Sequence, residues 1–120
     1  MAFKNRWVGD NLVVEISNKD LDSSIATVFK EHLIDVFESN PDRIVILDVS
    51  KVRFFDSSCL GALFAAFRQT GSKAKVVLAG ANDSVEQVFQ VSRVTRVMPV
   101  VPSLDQATRI NLGDWPLRAD

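Results

Sequence analysis

The chain has 120 residues, 47% of them hydrophobic, which suits one small domain with a single core. Its 14 lysines and arginines nearly balance its 15 aspartates and glutamates, so the charge gives no indication of nucleic-acid or anionic-membrane binding. A single cysteine excludes an internal disulfide. Because the sequence shows neither a long apolar stretch nor a secretion signal, we expect a soluble, cytoplasmic protein.

The first third of the chain predicts a β-hairpin followed by a helix. Turn residues at 9–11 and alternating apolar residues around them predict a hairpin over residues 7–16. A helix is predicted over residues 22–39, with Asp22 or Ser23 as its N-cap. Its buried face is expected to carry Ile25, Val28, Phe29, Leu33, Val36 and Phe37.

The middle of the chain predicts a buried strand and a second helix. Four consecutive apolar residues from Ile44 to Leu47 are typical of a strand covered on both faces, as in a parallel sheet. The helix is expected to begin between Asp56 and Ser58, because helical apolar spacing follows. Its apolar residues are Leu60, Leu63, Phe64 and Phe67.

The last third of the chain predicts two further strands and two further helices. A strand is expected over residues 75–79, and Asp83 with Glu86 suggests a capping box for a short helix. Residues 97–101 contain a proline and predict an edge strand, and Ser103 is expected to cap the last helix. Strands that alternate with helices in this way predict an α/β fold.

The segment between residues 47 and 61 has the most specific pattern in the chain. It contains Leu47-Asp48-Val49-Ser50, Val52, Phe55-Asp56-Ser57-Ser58 and Leu60-Gly61. The segment resembles the central motif of the STAS domain family, the bacterial anti-sigma factor antagonists, in which a strand ending in Leu-Asp-x-Ser leads to Asp-Ser-Ser-Gly-Leu-Gly at a helix start. The resemblance covers nearly the whole chain, including Leu21-Asp22 before the first helix and residues 102–107 at the last one.

Two positions depart from the family pattern, because Cys59 and Arg93 stand where glycines are usual. The resemblance implies an α/β fold: a single STAS-like domain with a mixed, mostly parallel sheet of four to five strands and four helices. We expect this domain to comprise residues 1–112, followed by a short C-terminal tail of residues 113–120.

The resemblance also implies a function, that of an anti-sigma factor antagonist without enzymatic activity. Ser58 matches the family's phosphorylated serine, and Ser57 is the alternative phosphoacceptor. The unphosphorylated protein would bind a serine-kinase anti-sigma factor with a histidine-kinase-like ATPase fold, and a serine phosphatase would restore binding. The expected partner-binding residues are Asp22, Asp56, Ser57, Ser58, Cys59, Leu60 and Gly61. We expect no cofactor, no metal and no nucleic-acid or membrane partner.

Other interpretations of these residues remain open at the level of sequence. Ser57, Ser58 and Asp56 could simply cap a helix, and so could Asp22. The domain could instead be a STAS subunit of a larger complex that meets no kinase, such as a stressosome or a lipid transporter. It could also hold a nucleotide or anion at the helix N-terminus. An enzyme is disfavoured, because the chain lacks the common nucleotide-binding and nucleophile motifs and has one histidine.

Three single residues have competing interpretations. Cys59 is either a reactive thiolate at a helix N-terminus or a small buried residue, and we favour the second. His32 is expected at the edge of the core, because no second histidine or cysteine stands at metal-ligand spacing. Trp115 lies outside any periodic pattern, so the sequence does not decide whether it packs on the domain or is exposed.

Overall fold

A computed structural model describes residues 3–116, which contain seven strands and four α-helices. The strands are β1 (Phe3–Val8), β2 (Asn11–Ile16), β3 (Asp20–Leu21), β4 (Ile44–Asp48), β5 (Phe54–Phe55), β6 (Lys75–Ala79) and β7 (Val100–Val101). The helices are α1 (Ala26–Ser39), α2 (Ser57–Gln69), α3 (Asp83–Ser92) and α4 (Leu104–Thr108).

Five of the strands form one mixed sheet in the order β1-β2-β4-β6-β7, and β3 and β5 form a separate two-stranded sheet. The hairpin pair β1 and β2 is antiparallel, whereas β2, β4, β6 and β7 are parallel to one another. This architecture confirms the predicted fold class. No helix within residues 3–116 is both long and apolar enough to cross a membrane.

The sheet has a hydrophobic core on each face. On one face, the large core lies between the strands and helices α1, α2 and α3, and it includes Phe29, Leu63 and Phe89. On the other face, a smaller core lies under α4 and the segment that follows it, around Ile46 and Ala107. Because both faces are covered, the central strand β4 is buried along its whole length, as its apolar run predicted.

Helix α2 has the apolar face that its sequence predicted. Leu63 and Phe67 are buried, and Leu60 and Phe64 are half-buried against the same core. The prediction for α1 was partly wrong, because Val28 was expected on the buried face but its side chain is 54% exposed. The apolar face of α1 is therefore narrower than the spacing suggested.

The start of α1 was also predicted wrongly. The helix begins at Ala26, four residues after the expected start, and Ile25 occupies the N-cap position. Asp22 does not cap α1, because its carboxylate accepts hydrogen bonds from the amide and the hydroxyl of Ser24. The hydrogen bonds of this local turn satisfy the carboxylate of Asp22, which the sequence pattern had predicted as the N-cap of the helix.

Two details of the last third differ from the predictions. Asn82 caps α3 by accepting a hydrogen bond from the amide of Val85 at 2.8 Å, so Asp83 is the first helical residue and the predicted capping box is wrong. The last strand comprises Val100–Val101 and not residues 97–101, because the amides of Val97 and Met98 donate to the carbonyl of Val94 in the preceding turn. The cap of α4 was predicted correctly, since the Ser103 hydroxyl accepts a hydrogen bond from the amide of Gln106.

Candidate functional site

The motif segment lies at the end of the sheet where β2, β4 and β6 terminate. The two-residue strands β3 and β5 pair in parallel there, with Leu21 opposite Phe55. The amide of Asp56 donates to the carbonyl of Leu21 at 3.0 Å, and the amide of Arg53 donates to the carbonyl of Lys19 at 2.8 Å. These bonds hold the segment before α1 against the entry into α2.

Asp56 fixes the start of α2. Its backbone is extended, with φ −92° and ψ 174°, and its Oδ1 accepts hydrogen bonds from the amides of Ser58 at 2.9 Å and Cys59 at 3.2 Å. A carboxylate at this position both satisfies free amides and interacts favourably with the positive end of the helix. The helix therefore begins at Ser57, within the range that the sequence predicted.

The two serines differ in exposure. Ser57, the first helical residue, is exposed, whereas Ser58, the second, is half-buried. In the next turn Leu60 is half-buried and Gly61 is exposed, with open space where a side chain would stand. The first turns of α2 thus present two serine hydroxyls, the half-buried side chain of Leu60 and, at Gly61, backbone without a side chain.

Cys59 faces the interior and not the surface. Its side chain is fully buried, and its Sγ donates to the carbonyl of Asp22 at 3.3 Å. Burial, together with the carboxylates of Asp56 and Asp22, raises the pKa of the Cys59 thiol to about 11. A reactive thiolate at neutral pH is therefore disfavoured, as the sequence analysis also concluded.

Asp22 reaches the site through its backbone. Its carbonyl accepts the Cys59 thiol and the amide of Ile25, while its carboxylate turns to Ser24. The hydrogen bonds from the Ser24 hydroxyl and amide lower the pKa of the Asp22 carboxyl group. The structure therefore brings Asp22, Asp56 and Cys59 together.

Three neighbours of the site were missed by the sequence analysis. The ring of Phe54 is 50% exposed beside the motif, and the guanidinium of Arg53 pairs with Asp20 at 3.1 Å. The side-chain amide of Asn82 donates to the carbonyl of Val52 at 3.3 Å and so ties the start of α3 to the motif loop. The positions of Arg53 and Phe54 depend on the pairing of β3 with β5, which are too short to produce a periodic sequence signal.

The loop after β4 packs closely on the loop after β6. Gly80 has φ +82°, and a Cβ there would stand 2.9 Å from the Cβ of Ser50. The amide of Ser50 donates to the carboxylate of Asp48 at 3.0 Å, which closes a tight turn at the end of the strand. The Leu-Asp-x-Ser part of the motif thus shapes the loop that leads to α2.

His32 lies at the edge of the core, as predicted. Its ring packs against Phe3 with centroids 5.1 Å apart, and its Nε2 lies 3.0 Å from Oδ1 of Asn5. Partial burial lowers the pKa of His32. Within residues 3–116, no three histidine, cysteine or acidic side chains are grouped closely enough to hold a metal ion.

The arrangement defines a small α/β domain that presents a capped helix N-terminus at the carboxyl edge of a mixed sheet. The sequence profile of the STAS domain family matches residues 4–107, and the chain belongs to this family. The comparison with curated protein sequences found no match.

Solved structures with the same fold include anti-sigma factor antagonists. One from Mycobacterium paratuberculosis is 20% identical, with 88% of each chain covered and a TM-score of 0.74. An anti-sigma-factor antagonist domain protein from Planctomyces limnophilus is 18% identical, with 90% of this chain and 96% of the other covered and a TM-score of 0.76. The Bacillus cell fate determinant SpoIIAA in its phosphorylated form is 19% identical, with 88% and 96% covered and a TM-score of 0.61.

Proposed function

We propose that this protein is an anti-sigma factor antagonist whose binding to a kinase-type anti-sigma factor is switched off by phosphorylation of Ser58. The main support is the position of Ser58 in the first turn of α2, within an Asp-Ser-Ser motif whose aspartate caps the helix. A similar fold, that of SpoIIAA, has been determined in a phosphorylated form. In this proposal the protein is cytoplasmic and has no enzymatic activity of its own.

The helix N-terminus can accept a phosphate without unfolding. The positive end of the helix dipole stabilises negative charge in the first turn, where the amides of Ser58 and Cys59 already donate to Asp56. The added group nevertheless carries about −1.5 to −2 charges at neutral pH. It would stand next to the carboxylate of Asp56, so this edge of the domain would become strongly acidic. The negative charge and the bulk of the phosphate would then oppose the docking of a partner that packs closely against α2.

The proposed partner surface comprises the residues around this turn. They are Asp22, Asp56, Ser57, Ser58, Cys59, Leu60 and Gly61. The exposed residues among them would contact the partner directly, whereas the buried Cys59 and the backbone of Asp22 would hold the surface in shape. The partner is a serine kinase with a histidine-kinase-like ATPase fold, and a serine phosphatase reverses the modification.

The phosphorylation site is tested by co-expression with a candidate kinase of this type. Intact mass should show the addition of one phosphate to the wild type and to Ser57→Ala, and none to Ser58→Ala. Peptide mapping should place the phosphate on Ser58. A phosphate that persists in Ser58→Ala, or that maps to Ser57, contradicts the assignment.

The charge mechanism is tested by binding measurements with the same kinase. Ser58→Asp and Ser58→Glu should weaken binding at least tenfold, whereas Ser58→Ala should bind like the wild type. Ser39→Asp is the matched control, because Ser39 is exposed at the other end of the sheet. Equal affinities for Ser58→Asp and Ser58→Ala would contradict a switch based on charge.

A further inference from the structure

A cavity of about 440 Å³ lies at the end of the sheet opposite the motif. It is bounded by the β1–β2 turn, the start of β4 and the segment that follows α4. Its volume falls in the range of about 300–1,000 Å³ that is usual for small-molecule sites. The residues that line it are separate from those of the proposed phosphorylation site.

The cavity wall contains the buried side-chain amide of Asn11. Asn11 is 6% exposed, and its Nδ2 donates to the carbonyls of Ile110 at 2.9 Å and Thr108 at 3.4 Å. Both partners of Nδ2 are carbonyl oxygens, which can only accept, and this sets the orientation of the side-chain amide. Within residues 3–116 no donor is found within hydrogen-bond distance of Oδ1 of Asn11, and Asn11 is one of the residues that line the cavity. Asn11 therefore offers an acceptor to the cavity.

Two opposite charges also line the cavity. The guanidinium of Arg43 lies 3.6 Å from the carboxylate of Asp10, and it stands 6.0 Å from the centre of the Trp7 ring. The side chains of Arg43 and Asp10 are 48% and 90% exposed, so the pair is weak and each partner keeps hydrogen-bonding capacity. The cavity thus presents one cation, one anion and one neutral acceptor.

We propose that this cavity binds a small zwitterion that carries a carboxylate and an ammonium group, of the size of an amino acid or dipeptide. Arg43 would hold the carboxylate, because a guanidinium donates two parallel hydrogen bonds to such a group. Asp10 and Oδ1 of Asn11 would accept from the ammonium, which has only donors. A simple anion would face two acceptors, and a simple cation would face Arg43, so a ligand with both charges fits best.

The proposal is tested by thermal denaturation and calorimetry with the L-amino acids and a set of dipeptides. A ligand that binds only the folded state raises the melting temperature. At least one probe should do so at millimolar concentration. Its N-acetylated and C-amidated forms, which each lack one charge, should bind at least tenfold more weakly. Stabilisation by none of the probes, or equal binding of the capped forms, overturns the proposal.

Substitutions at the cavity mouth locate the site. Arg43→Gln and Asp10→Asn each remove one charge from an exposed position and should each weaken binding at least tenfold. Arg109→Gln and Asp105→Asn are the matched controls, because this exposed ion pair on α4 lies outside the cavity lining. The controls should bind like the wild type. Unchanged affinity in Arg43→Gln and Asp10→Asn overturns the proposal even where a probe binds.

Discussion

Cys59 and Arg93, the two residues that stand where the resemblance implies glycine, have backbone conformations of opposite hand. Cys59 lies in the first turn of the right-handed helix α2, where a side chain is well tolerated. Arg93 ends α3 with φ +64°, in the left-handed region that costs a residue with a Cβ about 1–2 kcal/mol. The sequence showed both departures, but it could not show that only one of them strains the backbone.

Replacing these residues by glycine should therefore change stability in opposite directions. Arg93→Gly is expected to raise the free energy of unfolding by about 0.5–1 kcal/mol, because glycine adopts the left-handed conformation freely. Cys59→Gly should lower it by about 1–3 kcal/mol, through the cost of a helical glycine and the lost thiol hydrogen bond. Urea denaturation measures both changes. Arg93→Ala is the control, and a gain as large as that of Arg93→Gly would show that the backbone is not the cause.

The buried thiol of Cys59 predicts a loss of stability at high pH. Its pKa is 9.0 in an exposed site and is raised to about 11 in the fold, so folding favours the protonated thiol. The stability that the protonated Cys59 thiol contributes to the fold is complete below pH 9 and is lost as the pH rises through about 11. The stability of the wild type relative to Cys59→Ala should fall over that range. A constant difference between the two proteins from pH 8 to pH 11 would contradict the shift.

At the scale of single elements, strands and helices with strong periodicity were predicted correctly, whereas the caps of α1 and α3 and the short strands β3 and β5 were not. The start of α2 at Ser57 and its buried residues follow from a capping carboxylate and helical spacing, which are local properties. The predicted start of α1 was wrong because the Asp22 carboxylate accepts hydrogen bonds from Ser24 in a local turn and does not cap the helix. Strands β3 and β5 exist only because Asp20 and Phe54 meet across the chain. No local sequence signal encodes such a pairing.

Asn82, the N-cap of α3, is expected to contribute to the stability of the protein. Asn82→Ala should lower the free energy of unfolding by about 1 kcal/mol, because it leaves the amide of Val85 without its acceptor. It also removes the hydrogen bond to the carbonyl of Val52. Ser84→Ala is the control, and it should change stability by less than about 0.5 kcal/mol. Equal melting temperatures for Asn82→Ala and Ser84→Ala would show that the cap is unimportant.

At the scale of the whole molecule, the second core extends toward the C-terminus of the described chain. Trp115 is half-buried and packs with Leu104 and Ile110 against this core, which answers the question that the sequence left open. The boundary between residues 1–112 and a tail of residues 113–120 remains a prediction, and residues 117–120 lie outside the described part. The contact of Trp115 nevertheless adds apolar packing beyond residue 112.

The packing of Trp115 against the second core should contribute measurably to the free energy of unfolding of the full chain. Trp115→Ala is expected to lower the free energy of unfolding by about 1–3 kcal/mol, as expected for a large, partly buried apolar side chain. Leu112→Ala serves as the comparison, because Leu112 is 41% exposed and should contribute less than about 0.5 kcal/mol. Guanidinium denaturation of both variants tests the difference. Wild-type stability in Trp115→Ala would show that the C-terminal segment contributes nothing to the core.

The hydrogen bond from the Cys59 thiol to the Asp22 carbonyl joins residues that are 37 positions apart in the chain. Together with the bond between Asp56 and Leu21, it makes the shape of one segment depend on the residues of the other. Substitutions in the two segments are therefore expected to have non-additive effects on stability, because the residues share these contacts. Grafting the Asp-Ser-Ser turn alone into a distant relative should transfer its geometry only when the segment before α1 is grafted with it.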